Sequence, residues 1–177
     1  MPVAGVAIRP ETPADHDAVA AVVEAAFGGP AHARLVAALR AEPSYRPSRA
    51  LVAVEGDRVV GYVLVTDAAR VDGATIGPVA NLSPLAVAPD RQGAGIGSAL
   101  VAAVLAACDA EGEPAVVLEG APGYYGRLGF EPAAPHGLVL PLPDWAPPEA
   151  AQLHRLTAWP GSLPGTVTYP PPFAGFA

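Results

Sequence analysis

Leu85-Ala86-Val87-Ala88-Pro89-Asp90-Arg91-Gln92-Gly93-Ala94-Gly95-Ile96-Gly97-Ser98 joins a strand to a helix through a glycine-rich turn. Upstream, Ile76 to Val87 reads as one long strand; downstream, Leu100, Val101, Val104, Leu105 and Cys108 recur at helical spacing. A helix start leaves several backbone N–H groups free and aimed at one spot. Glycines there remove the β-carbons that would hold a diphosphate off the backbone, and the helix dipole adds roughly 0.3–1 kcal/mol for a negative charge. The turn is a candidate anion site, with a plain tight connection as the alternative. Two common nucleotide motifs do not fit. The dinucleotide fingerprint, begun at Gly93, needs glycine where Ser98 stands, and the P-loop needs a lysine in a chain that has none.

Outward from this junction the chain alternates strands and helices. Val6 to Arg9 reads as a short strand, and Val19, Val22, Val23, Ala26 and Phe27 as one face of a helix stopped by Gly28-Gly29-Pro30. Leu35, Val36 and Leu39 mark a second helix ending near Pro43. Leu51 to Val54 and Val59 to Val65, joined by Glu55-Gly56-Asp57, predict an antiparallel hairpin. Pro84 cannot donate to a sheet ladder, so the long strand is expected to bulge and splay there. Val116-Val117-Leu118 follows the helix as a buried strand, which implies a right-handed parallel crossover. A short helix over Pro122 to Leu128 and a strand over Gln152 to Trp159 come next. The stretch from Pro132 to Pro148 and the residues from Pro160 onward are Pro-rich and read as irregular.

The 177 residues, 51% of them hydrophobic, suit one domain with one core over residues 1–177. No apolar run reaches membrane-spanning length and no leader pattern opens the chain, so the cytoplasm is the expected compartment. Cys108 is the only cysteine, which excludes an internal disulfide and a cysteine-based metal site, and the four histidines have no metal-ligand spacing. All ten basic residues are arginine and the net charge is −7, which argues against a nucleic-acid-binding face and weakly favours cationic partners. Any phosphate site must therefore rest on local N–H groups and a few arginines.

Gln92, Gly95 and Gly97 meet the pattern Gln/Arg-x-x-Gly-x-Gly/Ala, and at this point the chain resembles the GNAT superfamily of acetyltransferases. Leu-Ala-Val before a proline, the glycine turn, a helix, a Val-rich strand and Tyr-Tyr-Gly-Arg-Leu-Gly-Phe-Glu-Pro occur in that superfamily's order, most densely from Leu82 to Pro132. The ending Gly165-Thr166-Val167-Thr168-Tyr169-Pro170-Pro171 resembles that of a bacterial subgroup whose substrates vary. The resemblance implies an α/β fold: a mixed, mostly antiparallel sheet with one splayed parallel pair and helices on both faces. It also implies acetyl-CoA as cosubstrate, no metal, and acetyl transfer to an amine. The cofactor set it implies is Leu85, Ala86, Val87, Arg91, Gln92, Gly93, Ala94, Gly95, Ile96, Gly97, Ser98 and Tyr125. Gln92 to Gly97 would hold the pyrophosphate, and the backbone of Leu85 and Val87 would pair with the pantetheine arm. The Leu85 N–H would polarise the acetyl carbonyl.

Acetyl transfer needs a neutral amine, stabilisation of an oxyanion and a proton for the departing thiolate. The family's tyrosine, four residues before the Gly-Phe, falls on Tyr125; Tyr124 pairs with Leu128 at i+4 and suits packing. An alkylamine with pKa near ~10.4 is neutral in only about one molecule in a few thousand at pH 7, so such an acceptor needs a base. Glu24, His32, Asn81, Ser83 and Glu119 are candidates by placement. Glu24 lies off its helix's apolar stripe and reads as a solvated carboxylate; Glu119, ending the strand beside the cleft, is preferred. Cys108 reads as inert packing, His16 and His136 as solvent-facing, and Trp145, Trp159 and Tyr169 as core or tail packing with a pocket lining as the alternative. Expected partners are a small-molecule or peptide amine, with no nucleic acid and no membrane; a homodimer stays open. The rival readings are a non-catalytic acyl-CoA-binding module and a structural domain with an empty loop.

Overall fold

The structure is a computed structural model and describes residues 2–176. Val6–Pro10 (β1) pairs antiparallel with Ala50–Glu55 (β2), and β2 with Arg58–Asp72 (β3) through the expected hairpin. Between β1 and β2 lie the helices His16–Phe27 (α1) and Ala31–Leu39 (α2). The left-handed Gly28, φ 74°, ends α1 and returns its N–H to Glu24 O. β3 then pairs with Thr75–Val87 (β4), which leads through the glycine turn into Ile96–Ala110 (α3) and on to Ala115–Glu119 (β5). β4 and β5 are parallel, as the crossover requires.

After β5 come Pro122–Tyr125 (α4), continued by a 3₁₀ turn over Gly126–Leu128, and the short strands Glu131–Pro132 (β6) and Leu138–Val139 (β7). Ala151–Arg155 (β8) and Gly165–Thr168 (β9) complete a nine-stranded sheet ordered β1-β2-β3-β4-β5-β8-β6, with β9 on the far half of β3. β9 corrects the expectation of an irregular end: Val167 is buried, and Thr166 to Thr168 pair with Val71 to Ala69. It also adds a second, two-residue parallel contact, with β7. Helices cover both faces, so the mixed α/β architecture stands.

α3 packs on one face, where Leu100, Val101, Val104 and Cys108 meet Val63, Val65, Val116 and Leu118. Each such side chain, fully buried, contributes about 1.5–3 kcal/mol. On the other face α1 and α2 cover Val52, Tyr62, Leu64 and Ala86. The segment carrying β7 and β9 covers Val79, Val117 and Leu153 on that same side, because side chains alternate along β4 and β5. Phe27, read as part of α1's apolar face, is 43% exposed and instead stacks on His32 at 3.7 Å between ring centroids. Arg49, 2% exposed, is held by Asp67, Glu111 and Glu113, and Glu11 accepts from Arg40, Tyr45 and Tyr62; both clusters tie the ends of elements together. No helix among the described residues is long and apolar enough to cross a membrane.

Candidate active site

The site begins with an interruption. Val63 faces Leu85 and Val65 faces Leu82, so β4 carries one residue more than β3 across this step, at Ser83-Pro84. The missing donor of Pro84 makes the bulge tolerable there. On its other edge β4 pairs with β5 only at Ala80↔Val116 and Asn81↔Val117. Beyond that the two strands part, as the sequence predicts.

Backbone direction in the parted region follows from one hydrogen bond. The Ala88 N–H donates to Val60 O, 2.9 Å, so Ala88 and Ala86 address β3. Alternation then turns the N–H and C=O of Leu85 and Val87 into the gap. Ala86, expected within the cofactor set, faces the α1–α2 core and is 2% exposed, which separates it from its two neighbours.

At the mouth of the gap the chain turns through Gly93 (φ 80°) and Gly95 (φ 86°) into α3. Both lie in the left-handed region open to glycine. The first bond of the helix is Ala99 N–H to Gly95 O, and no side chain caps the start, so the N–H groups of Ile96, Gly97 and Ser98 have no helical partner. A cleft of about 410 Å³ runs past them, lined by Leu85, Val87, Arg91, Gln92, Gly93, Gly95, Ile96, Gly97 and Ser98, together with Tyr124 and Arg127. Ala94 does not line it. A β-carbon on Gly97 would lie 2.5 Å from the Tyr124 hydroxyl, so the wall opposite the helix start is built to stand close.

Three side chains at the cleft carry features that the sequence did not disclose. Gln92 gives its amide to Val87 O, 3.1 Å, tying the turn to the end of β4. Arg91 pairs with Glu55 through Nη2 at 2.6 Å, and its buried Nε has no partner among the described residues. Arg127 is a lining residue that motif reading missed; its Nε donates to Gly123 O and holds the side chain along the wall. Its signal was present, since it lies within Tyr-Tyr-Gly-Arg-Leu-Gly-Phe.

The two tyrosines divide the wall between them. Tyr124, read as a packing residue, lines the cleft opposite the helix start. Tyr125 sits over Gly120, where a β-carbon would approach its Cε2 to 2.6 Å, and packs edge-on against Phe130 at 5.6 Å. Its hydroxyl has no hydrogen bond among the described residues, and burial, assisted by Tyr124, pushes its pKa up to about 12. It is thus placed just past the end of β5 against the α3-side core and protonated at neutral pH; expected within the cofactor set, it does not line the cleft at the helix start, where Tyr124 stands instead.

The five candidate bases are scattered. Glu24 is exposed on α1, and His32 lies between Phe27 and Phe176, where loss of hydration lowers its pKa. Asn81, 2% exposed, is an amide and takes no proton in this range; Ser83 is half-buried on the bulge. Glu119 lies at the end of β5 and accepts the Tyr169 hydroxyl at 2.8 Å. Although its surface is exposed, crowding around the carboxyl raises its pKa, against the opposing effect of the Tyr169 bond. The remaining polar residues are structural: burial pushes the Cys108 thiol up to about 12, and His136 pairs with Glu131 and packs on Trp159. Trp145, read as core or tail packing, is 81% exposed.

Known proteins match this architecture. A family model described as an acetyltransferase (GNAT) domain matches residues 7–133, and the chain belongs to the GNAT acetyltransferase family. The chain is 36% identical over 145 residues to the uncharacterized N-acetyltransferase YjhQ of Escherichia coli (strain K12), a match spanning 80% of each protein. It is 36% identical over 151 residues to the uncharacterized N-acetyltransferase YhbS of the same strain, spanning 84% of this chain and 86% of that one. The crystal structure of Escherichia coli YhbS in complex with CoA superposes with a TM-score of 0.87 at 33% identity, covering 100% of this chain and 96% of that one. A GNAT family acetyltransferase from Brucella melitensis in complex with acetyl-CoA gives a TM-score of 0.77 at 29% identity, covering 95% and 97%.

Proposed function

We propose that the protein transfers an acetyl group from acetyl-CoA to an amine by direct attack in a ternary complex. The observation that carries this reading is the split itself: a strand edge at Leu85 and Val87 turned into a cleft whose mouth is a helix start with unpaired N–H groups. A pantetheine arm has amides that match such an edge, and a pyrophosphate matches such a helix start. The CoA and acetyl-CoA held by the two similar structures support the same assignment.

The N–H groups of Gly93 to Ser98 would hold the pyrophosphate, with Arg91 and Arg127 adding charge-assisted bonds. Leu85 N–H, facing the gap, would stabilise the oxyanion that forms as nitrogen attacks the carbonyl carbon. Bound acetyl-CoA supplies an activated acyl group with a thiolate leaving group. Tyr125 is assigned as the acid that protonates that sulfur. With its pKa near 12 it is a weak donor, and its use rests on position and on being fully protonated at neutral pH. Glu119 is assigned as the base for the acceptor, acting directly or through a water. A cytoplasmic location is part of the same proposal.

Calorimetric titration with acetyl-CoA and with free CoA, followed by thiol release over a panel of amines, tests the reading. Binding with amine-dependent release is expected. Binding without release from any amine would favour a sensor module, and no binding at all would overturn the assignment.

A further inference from the structure

The acceptor side of the split is closed by a part of the chain that acetyl transfer, as argued so far, does not use. Past β9 the chain runs through Tyr169 and one turn at Pro171–Phe173 to Phe176. Tyr169 reaches Glu119 at 2.8 Å; Phe173 packs on the Tyr169 ring at 5.4 Å, and Phe176 lies edge-on to His32 of α2 at 4.7 Å. The segment therefore reaches from the end of β5 to α2.

It does so on one defined face. Leu118 belongs to the α3-side core and Val117 to the core beneath β7 and β9, so Glu119 shares the face of Val117, away from α3. Tyr125 packs with the α3-side core. Glu119 and Tyr125 thus stand on opposite sides of the parted strands. A nucleophile adds to one face of the planar carbonyl, and an acid on one side of the split with a carboxylate on the other lets the two proton transfers be served by separate groups.

We propose that Tyr169 is a positioning residue, which fixes one oxygen of Glu119 and leaves the other to an alkylammonium acceptor. The proposal rests on the acetyl-transfer reading above. In the step it serves, an N–H bond of the ammonium breaks and its proton goes to the free oxygen of Glu119. The nitrogen lone pair forms the C–N bond, the C–S bond breaks, and the Tyr125 proton goes to sulfur. The nitrogen's second proton replaces the one Tyr125 gave, Glu119 returns its own to solvent, and one proton is released per turnover.

The surroundings of Glu119 make Tyr169 the group that governs it. Opposite on β8 stands Ala151, and next to it Gln152 gives its amide to Gly120 O, 3.0 Å. On β4 stand Asn81, in register with Val117, and Ser83 beyond the point where the strands part, both neutral. Burial raises the pKa of Glu119 and the Tyr169 bond, which favours the carboxylate, lowers it. Removing that bond must therefore move the titration upward.

Tyr169→Phe keeps the ring that packs on Phe173 and removes the hydroxyl. The Glu119 carboxyl is followed by ¹³C NMR titration, assigned with Glu119→Gln, and thiol release from a primary alkylamine is followed over the same pH range. In Tyr169→Phe the Glu119 midpoint and the acidic limb of kcat/KM both move up by about half a pH unit or more, with CoA affinity unchanged. An unmoved NMR midpoint overturns the proposal whether or not any amine reacts. A moved midpoint with an unmoved acidic limb overturns the role of Tyr169 alone. A midpoint that moves in Tyr169→Phe, together with a wild type that releases no thiol with any amine, overturns the acetyl-transfer reading, and the acceptor role with it.

Discussion

The Tyr124 hydroxyl stands 2.5 Å from the point a β-carbon on Gly97 would occupy, so the helix start and the opposing wall cannot both keep their places if Gly97 gains a methyl group. Gly97→Ala is expected to weaken CoA binding by about tenfold or more, since a cradle of backbone N–H groups works only at contact distance. Because the ring carbon Cζ lies farther off, at 3.7 Å, Tyr124→Phe in the same chain should recover part of the loss. Calorimetry on the two single variants and the double variant reads the coupling directly.

Tyr125→Phe should leave CoA affinity intact and lower kcat for thiol release by roughly 10²-fold, the lower end of what a positioned acid contributes. Stopped-time thiol assays at saturating acetyl-CoA measure it. Equal loss of binding and turnover would instead assign the hydroxyl to holding the cosubstrate rather than to protonating the leaving sulfur.

Arg127→Ala and Arg91→Ala are each expected to cost about 1.5–3 kcal/mol of CoA binding if each makes one charge-assisted bond to phosphate. The loss should shrink as salt is raised. Arg91→Ala has a second effect, because Glu55 then loses its partner at 2.6 Å; titrations at two ionic strengths separate the two arginines.

Arg49 is buried among three carboxylates, and Arg49→Met leaves Glu113, with its side chain 11% exposed, without a cation. Loss of one partner from a buried charged cluster costs about 3–5 kcal/mol, and urea unfolding should show a lower midpoint with an unchanged slope. Kinetic constants of the surviving folded protein should not move, since the cluster lies away from the split.

Asp15 accepts Arg9 at 2.7 and 2.9 Å and the Thr12 N–H at 2.7 Å, and the Arg9 bonds hold its carboxyl well below the usual carboxylate range. A folded pKa below the unfolded one means the unfolded chain takes up the proton first. The stabilisation is whole above about pH 4 and is lost as the pH falls from there toward the folded value. Asp15→Asn should lose stability at pH 7, and its gap to the wild type should stay constant down to about pH 4 and narrow below that without closing at pH 3, as urea midpoints at pH 7, 4.5 and 3 would record.

What could be read without coordinates had a local cause. The glycines, the strand before them and the apolar repeat after them fixed the β4–α3 junction, and Pro84 announced the bulge because one missing donor is enough to interrupt a ladder. β9 escaped because its partner is the far half of β3, some hundred residues earlier, while Pro160, Pro164 and Pro170 mask a four-residue pattern. The bond between Glu119 and Tyr169 escaped for the same reason. Tyr124 was misread for another: a divergence of about 100° assumes a continuing helix, whereas α4 is four residues long before it tightens, and both rings end half-buried.

The short parallel pairing of β4 with β5 leaves a strand edge without a strand partner at Leu85 and Val87, where, among the described residues, only the Val87 carbonyl is taken, by Gln92. Elsewhere such an edge invites another chain to add itself, and proteins blunt it with charge or with proline. Here it is recessed between two cores, where a slender linear arm fits and a folded neighbour does not. The amides of Leu85 and Val87 should therefore exchange their hydrogens readily in the free protein and slow down when the arm is seated. The same recess that makes the site selective for thin, amide-bearing molecules would protect the protein from polymerising through its own open strand.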